Sequence, residues 1–362
     1  MTLYLCVDCG GSKTAAVICD AAGTIVGRAL GGPSNFAYLS LEDFELAVRL
    51  TVSDALKTCT SPPSIDPVPL PPKGDSPFAA AWFGVSGLDS PAAISEVTPT
   101  LSALLGIPVG PHLSIANDTH LLAAPVRMHP DVTHAVGVIA GTGAIAVSFK
   151  EIPSGFQELG RVGGWGWILG DEGGGFHVGR EAVRQMLAET DLASVRGAPP
   201  PESIMVKRIL ERFGQKTVLD VLIAVHMHIP DAAAATIPPQ TLPQYTMPSE
   251  KRLSSLAPLV FQSAFEDADP LALRVLQTTS NIFAAQITVL LGQSDESMPN
   301  RVKAQDTLIS FGGSLAGVEA YRKMILDALA AQGHVFRYVE FVDDAAATGA
   351  IGLAASHAAK KD

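Results

Sequence analysis

Three stretches of this sequence carry residue types that could do chemistry, and each is set in glycine. The first is Asp8-Cys9-Gly10-Gly11-Ser12-Lys13-Thr14, which offers backbone N–H groups, two hydroxyls and one carboxylate. Amides and hydroxyls suit phosphate oxygens, and the Asp8 carboxylate suits magnesium or its bound waters. An Asp-Gly-Gly hairpin with no ligand looks the same, so this stretch alone is weak. The second is Asn117-Asp118, which closes a short apolar run. Asp118 there could accept the proton of a substrate hydroxyl as general base, with Asp89 as the alternative. A plainer account makes Asp118 a helix N-cap, with Thr119 opening a helix that Pro125 ends. The third runs from Gly160 to Phe176 and combines dense glycine with Trp165, Trp167 and the carboxylate pair Asp171-Glu172. So much glycine costs chain entropy and packs nothing, which is tolerated where backbone must approach something closely. A wall of a polar-ligand site is expected, with Asp171 in a turn or capping the helix from Phe176 to Ala188.

The elements that would position these residues follow from periodicity and turn chemistry. Leu3 to Val7, Thr14 to Asp20 and Thr24 to Ala29 read as a three-stranded meander, with the turn from Asp8 to Lys13. Glu42 to Lys57 reads as an amphipathic helix, and the seven prolines of Ser61 to Pro77 exclude regular structure. Strand Ala79 to Val85, helix Ala92 to Leu105 and strand Leu113 to Ala116 then alternate, the pattern of a mostly parallel sheet that gathers ligands at its carboxyl edge. Asp118 stands at that edge. From His134 the pattern begins again: strand to Ala140, the turn Gly141-Thr142-Gly143, strand Ala144 to Lys150 and a turn near Pro153. Gly141, Gly143 and Ala146 spell a dinucleotide fingerprint, but strand rather than helix follows, which excludes it. Beyond Gly179 helices dominate: Glu181 to Thr190, Glu202 to Phe213, Val218 to His228, Glu250 to Asp267 and Leu271 to Gln293. Strand Thr307 to Phe311, the pair Gly312-Gly313, helix Gly317 to Gln332, strand Phe336 to Phe341 and an Ala-rich helix Ala345 to Ala359 complete the chain.

Composition bounds the function. The 362 residues exceed what one core supports, so two domains are expected. A net charge of -11 argues against nonspecific nucleic-acid binding and against anionic membrane surfaces. The four cysteines (Cys6, Cys9, Cys19, Cys59) all fall early, Cys6 and Cys9 within one strand, so a reducing, cytoplasmic setting is expected. Neither a signal peptide nor an apolar run of roughly 20 residues is seen. His226 and His228 lack the spacing of a zinc site.

Two strand–turn–strand units, one opening each half, resemble the actin-like (ribonuclease H-like) ATPase superfamily. Within it the chain resembles the N-acetylglucosamine kinase and BadF/BadG/BcrA/BcrD-type ATPase family. The motifs fall in the family's order: the Asp8 to Thr14 loop for phosphate, Pro33-Ser34-Asn35 for sugar contact and Asn117-Asp118 for the catalytic aspartate. Gly141-Thr142-Gly143 is similar to the second phosphate loop, Gly163-Gly164-Trp165-Gly166 through Asp171 to the sugar wall, and Phe311-Gly312-Gly313-Ser314 to the adenosine loop. The chain departs from the pattern with Cys9 for a usual glycine, Ser12 for threonine, and Ala144-Ile145 where small polar residues are common.

The resemblance implies an α/β fold of two actin-like domains, residues 1–118 with 345–362 and residues 119–344, with nucleotide and sugar in the cleft between them. It implies an ATP- and Mg2+-dependent kinase of a hexosamine, N-acetylglucosamine to its 6-phosphate. Asp118 is then the base and Asp8 the metal ligand. Gly10, Gly11, Ser12, Lys13, Gly141, Thr142, Gly143, Gly312, Gly313 and Ser314 would hold ATP. Asn35, Gly164, Trp165 and Asp171, with Asp118, would hold sugar. Alternatives are a glucosamine kinase, a sugar sensor, or an ATPase activator, whose mid-chain cluster cysteines have no counterpart after Cys59. A homodimer is compatible with the resemblance.

Overall fold

A computed structural model of the chain describes residues 2–152, 155–227 and 242–358. The expected turn at Pro153, His228 at the expected end of the helix from Val218, and Ala359 at that of the last helix lie outside them. Strand β1 (Leu3–Cys9) is an almost wholly buried run, and its alternate residues serve two different layers. Leu3, Leu5 and Val7 meet Phe44, Val48 and Val52 of helix α1 (Leu41–Ala55) on one face. Tyr4 and Cys6 meet Ala346, Ala350 and Leu353 of helix α11 (Ala345–Ala358) on the other. A strand covered on both faces has no polar side, which is why its sequence does not alternate.

Strands β2 (Thr14–Cys19) and β3 (Ile25–Gly31) add antiparallel to β1, while β4 (Phe78–Val85) and β5 (Leu113–Ala116) add parallel on its other side. Helix α2 (Pro91–Leu105) makes the crossover between the last two. The order is β3-β2-β1-β4-β5. A second sheet repeats it: β6 (His134–Ala140) pairs antiparallel with β7 (Ala144–Ile152), which pairs antiparallel with β8 (Gly155–Gly163). On the far side β6 pairs parallel with β9 (Thr307–Gly312), and β9 with β10 (Tyr338–Phe341). The order β10-β9-β6-β7-β8 is the first sheet's topology again.

Helices α3 (Gly175–Arg196), α4 (Ile204–Phe213), α5 (Asp220–His226), α6 (Pro243–Thr246), α7 (Ser249–Ser254), α8 (Ala257–Phe265), α9 (Pro270–Thr288) and α10 (Glu319–Ala331) belong to the second half. Most of them pack their apolar faces on one side of the second sheet, around Val136, Val138 and Ala140.

Between the sheets runs a 3-10 helix, Asp118–Met128. Its Leu121 sits among Tyr4, Cys6 and Trp82, while Ala123 and Val126 sit among Ala135, Phe149 and Leu308. The Ser310 hydroxyl donates to the Leu122 carbonyl within it. α11 returns across this helix to the first sheet so closely that a Cβ at Gly349 would lie 2.4 Å from Cys6 Sγ.

The structure corrects several expectations. Asp8 and Cys9 are in β1, so the first turn is only Gly10 to Lys13, closed by Gly10 N–H donating to Lys13 O at 3.0 Å. Residues 160–163 are not loop but the end of β8, because their backbone pairs with β7. Glu250 to Asp267 is two helices, since Pro258 in the first turn of α8 starts a new one. Pro125 lies inside the 3-10 helix rather than ending it.

Candidate active site

The carboxyl ends of β1, β4 and β5 bring together Asp8, Ser86, Asp89 and Asp118. Backbone hydrogen bonds fix their loops: Ser86 N–H donates to Cys9 O (2.9 Å), Phe36 N–H to Ser86 O (2.9 Å) and Ser34 N–H to Gly10 O (3.0 Å). The Asn35 amide donates to Ser86 Oγ at 3.1 Å. Ser86 in turn donates to the Asp118 carboxylate, so Asn35 orients the aspartate through the serine. Gly87, at φ 81°, is required here, because a Cβ would lie 2.5 Å from Asn35 Oδ1.

Asn117, not Asp118, caps the 3-10 helix: its Oδ1 accepts from Thr119 N–H (3.0 Å) and Oγ1 (2.7 Å). The Asn117 amide also donates to Asp89 Oδ1 at 2.9 Å. Asp89 is thereby engaged, and Asp118 is left facing the cleft. Burial pushes the Asp118 carboxyl above its ordinary range, with the Ser86 and Thr119 hydrogen bonds opposing and Asp89 adding to the rise. Burial, and next the Asp118 charge, push Asp8 up to about 6, with Lys13 opposing. Both carboxylates are desolvated and the charge of Asp118 raises Asp8, a setting in which a cation lowers the energy.

Asp118 lies in a cavity of about 890 Å³ between the sheets. Ser86, Asp89 and Asn117 line it from the first half, and Ile145, Glu158 and Arg161 from β7 and β8. Behind it Trp82 and Phe156 stack at 5.7 Å, with the Arg127 guanidinium 4.8 and 5.0 Å from their ring centres.

The turn Gly141-Thr142-Gly143 lies at the amino end of α3, where Gly175 and Phe176 N–H groups donate to the Gly141 and Thr142 carbonyls (2.8 and 3.1 Å). Gly174 caps that helix, not Asp171. Asp171 takes φ 61°, uncommon for a residue with a Cβ, and its carboxylate accepts from Ala144 N–H at 3.4 Å. A Cβ at Gly143 would meet that carboxylate at 2.8 Å. Asp171 therefore sits against the second glycine turn and is not among the lining residues of the large cavity.

A buried network holds the Asp171 loop. Burial pushes His177 down to about 4, so it is neutral. Its Nδ1 accepts from Gly173 N–H (2.9 Å), which leaves the proton on Nε2 to donate to Glu172 (2.8 Å). Arg180 donates to both Glu172 oxygens (2.8 and 2.9 Å), and Tyr321 Oη donates to Gly173 O (3.1 Å).

Of the remaining sequence candidates, Gly164 lies beside Ile145 and the Arg161 guanidinium, while Trp165 is 64% exposed and packs over Gly170. Gly11, Ser12, Lys13 and Thr142 are exposed on their turns. Gly312 is buried in β9, where a Cβ would press on Leu122 at 3.0 Å, so packing alone explains that glycine. Gly313, at φ 93°, and Ser314 open a second cavity of about 410 Å³ with Phe341 and Asp343. Sequence reasoning missed Ser86, Glu158 and Arg161, and, although it singled out Glu172, it missed that residue's partners His177 and Arg180. No group of three or more His, Cys, Asp or Glu side chains that could hold a metal exists among the described residues. No described helix is long and apolar enough to cross a membrane.

Two five-stranded sheets of one topology, with the Asp118 cavity between them, define an α/β protein of the actin-like sugar-kinase fold. Two solved structures superpose over nearly their whole length. A candidate N-acetylglucosamine kinase of Porphyromonas gingivalis has TM-score 0.59 and 19% identity over 100% of both chains. One of Chromobacterium violaceum has TM-score 0.58 and 20% identity over 98% of this chain and 99% of that one. At such identity the likeness speaks for the fold. Residues 5–356 match the BadF/BadG/BcrA/BcrD ATPase family, and the chain belongs to it. A curated relative, the N-acetyl-D-glucosamine kinase of Dictyostelium discoideum, is 25% identical over 210 residues, 58% of this chain and 60% of its own length.

Proposed function

We propose that the protein transfers the γ-phosphoryl group of ATP to a hexosamine hydroxyl, N-acetylglucosamine giving its 6-phosphate. The observation that carries the reading is Asp118: a desolvated carboxylate, oriented through Ser86 and aimed into the cleft from the edge of a parallel sheet. Phosphoryl transfer asks a protein for positioning and charge neutralisation, plus a carboxylate to take the hydroxyl proton. Asp118 is that carboxylate. The amides of Gly10 to Lys13 and of Gly141 to Gly143 would cradle the phosphates, and the Gly313-Ser314 cavity would admit the nucleoside. The domains would be residues 1–118 with 345–362 and residues 119–344, the boundary falling at the start of the 3-10 helix Asp118–Met128. The kinase of Dictyostelium discoideum favours this reading.

Asp8 fits a magnesium ion, which typically binds through one or two carboxylates together with substrate phosphates. Its raised pKa marks a buried charge lacking compensation. Bound there, the metal would neutralise phosphate charge; proton removal remains with Asp118. The test is a coupled ADP-release assay over a panel of amino sugars, with the product's phosphate position read by NMR. ADP release that no sugar stimulates would refute it.

A further inference from the structure

The 3-10 helix that begins with Asp118 owes little of its placement to its own hydrogen bonds. Eleven residues is long for this geometry, whose i→i+3 bonds are poorly aligned, and Pro125 inside it donates none. At a rise of about 2.0 Å per residue its two ends are roughly 20 Å apart. The Asp118 end is fastened by Asn117, whose side chain accepts from Thr119 N–H and whose carbonyl accepts from His120 N–H, both at 3.0 Å. It crosses β4 so closely that a Cβ at Gly84 would lie 2.5 Å from Leu121 and 3.2 Å from the Asp118 Cα. The far end carries Arg127, whose side chain is 7% exposed. Its guanidinium lies 4.8 Å from the ring centre of Trp82, in the first sheet, and 5.0 Å from that of Phe156, in the second. Since those rings stand 5.7 Å apart, the three groups form a closed triangle. The Arg127 stem meets α11, 3.6 Å from where a Cβ at Gly352 would stand.

One residue of the helix thus touches both walls of the cleft at once. A charge taken so far out of water is costly unless it is compensated. Glu151 of β7 supplies one contact, 3.3 Å from Nε, and the two ring faces supply the rest. Nη1 and the Trp82 indole N–H have no hydrogen-bond partner among the described residues. A residue needed only to fill this space would be apolar, since packed carbon in place of a buried ion pair often stabilises. A guanidinium adds what carbon cannot: a flat, weakly hydrated cation that stacks on rings and holds a carboxylate in one geometry. From this juxtaposition we infer that Arg127 is a positioning residue for phosphoryl transfer. By gripping Trp82, Phe156 and Glu151 together it fixes the Asp118 helix to both sheets, so that the base keeps one place relative to the sugar hydroxyl and the phosphate loops. Arg127 is not among the residues lining the cavity, so its contribution passes through Asp118. The inference rests on the kinase reading above and deepens it.

The test uses the full chain with ATP, Mg2+ and the best acceptor of the amino-sugar panel, comparing wild type, Arg127→Met, Asp118→Asn and the double variant. Arg127→Met keeps the length of the side chain and removes its charge and its plane. It should lower kcat about 10- to 100-fold, as a displacement of about 1 Å at a reacting group does, with KM for sugar and ATP within about threefold. In the Asp118→Asn protein no base remains to be placed, so the same substitution should change the residual kcat by less than about twofold. Arg127→Lys keeps the charge, should lose less kcat, and takes the place of the methionine variant in the cycle if that variant does not fold. Equal losses in both backgrounds, or a loss confined to KM, would overturn the inference while leaving the kinase standing. A wild type that phosphorylates no sugar overturns the kinase reading, and amide hydrogen exchange then judges the fastening alone. Faster exchange of the Thr119 and His120 amides in the Arg127 variant supports it; faster exchange confined to the residues around Arg127 overturns it.

Discussion

Asp8→Asn should make the ligand-free protein more stable while destroying its use of ATP. Asp8 is pushed from an ordinary 3.8 to about 6 by burial and by Asp118. Each unit corresponds to about 1.4 kcal/mol, so the ionised side chain opposes folding by about 3 kcal/mol at neutral pH, or about 2 after allowing for its partial exposure. Asparagine keeps the shape of the protonated acid and removes that term. Between about pH 4 and 6 the folded state holds the proton that the unfolded state releases, so wild-type stability falls as pH rises through this window. Above pH 6 the full penalty is present; below pH 4 it vanishes. Thermal unfolding at pH 7.5 without ligands should therefore show the variant melting roughly 3–8 °C higher, with the gain shrinking toward pH 4. Adding Mg2+ and ATP should raise the Tm of wild type and hardly move the variant, because binding to the folded state alone stabilises it. A variant less stable than wild type at pH 7.5, or a gain independent of pH, would refute the reasoning.

Asp118→Asn should lower kcat by about 10²–10⁴-fold with sugar affinity retained in calorimetry, since Asn117 and not Asp118 caps the following helix. Wild-type kcat/KM should fall on the acid side at a pH above the usual carboxylate range, given the raised Asp118; an acid-side fall that stays within the ordinary carboxylate range would exclude it as base. His177→Ala should free Glu172 and the Asp171 turn, raising KM with a Tm loss, and neither effect should change between pH 5.5 and 8 because His177 stays neutral there. Gly349→Val should destabilise by at least about 1–3 kcal/mol in urea melts, as a Cβ there has only 2.4 Å to Cys6 Sγ.

The first meander and the β6–β7 hairpin were legible because alternating apolar runs broken by glycine turns have few other solutions. The position of Asp118 was legible for the same reason: the edge of a parallel sheet is fixed once its strands are. β8 was not, since its glycines read as loop and its pairing to β7 is a tertiary fact. Glu158 and Arg161 followed β8 out of sight, because only its pairing register tells which way those side chains face. Trp165 and Asp171 were expected in one ligand wall from the glycine density around them, and here one lies exposed and the other against the Gly143 turn. The break between α7 and α8 had a visible signal in Pro258.

The return of α11 to the first sheet sets a timetable for synthesis. Tyr4, Cys6, Val17, Cys19 and Trp82 share one face, and that face is completed by a helix starting at Ala345, long after the sheet's last strand ends at Ala116. At translation rates of roughly 5–20 residues per second, the face waits on the order of ten seconds or more for its cover. During that interval the nascent first half presents an apolar surface, and it is there that a chaperone would find a grip.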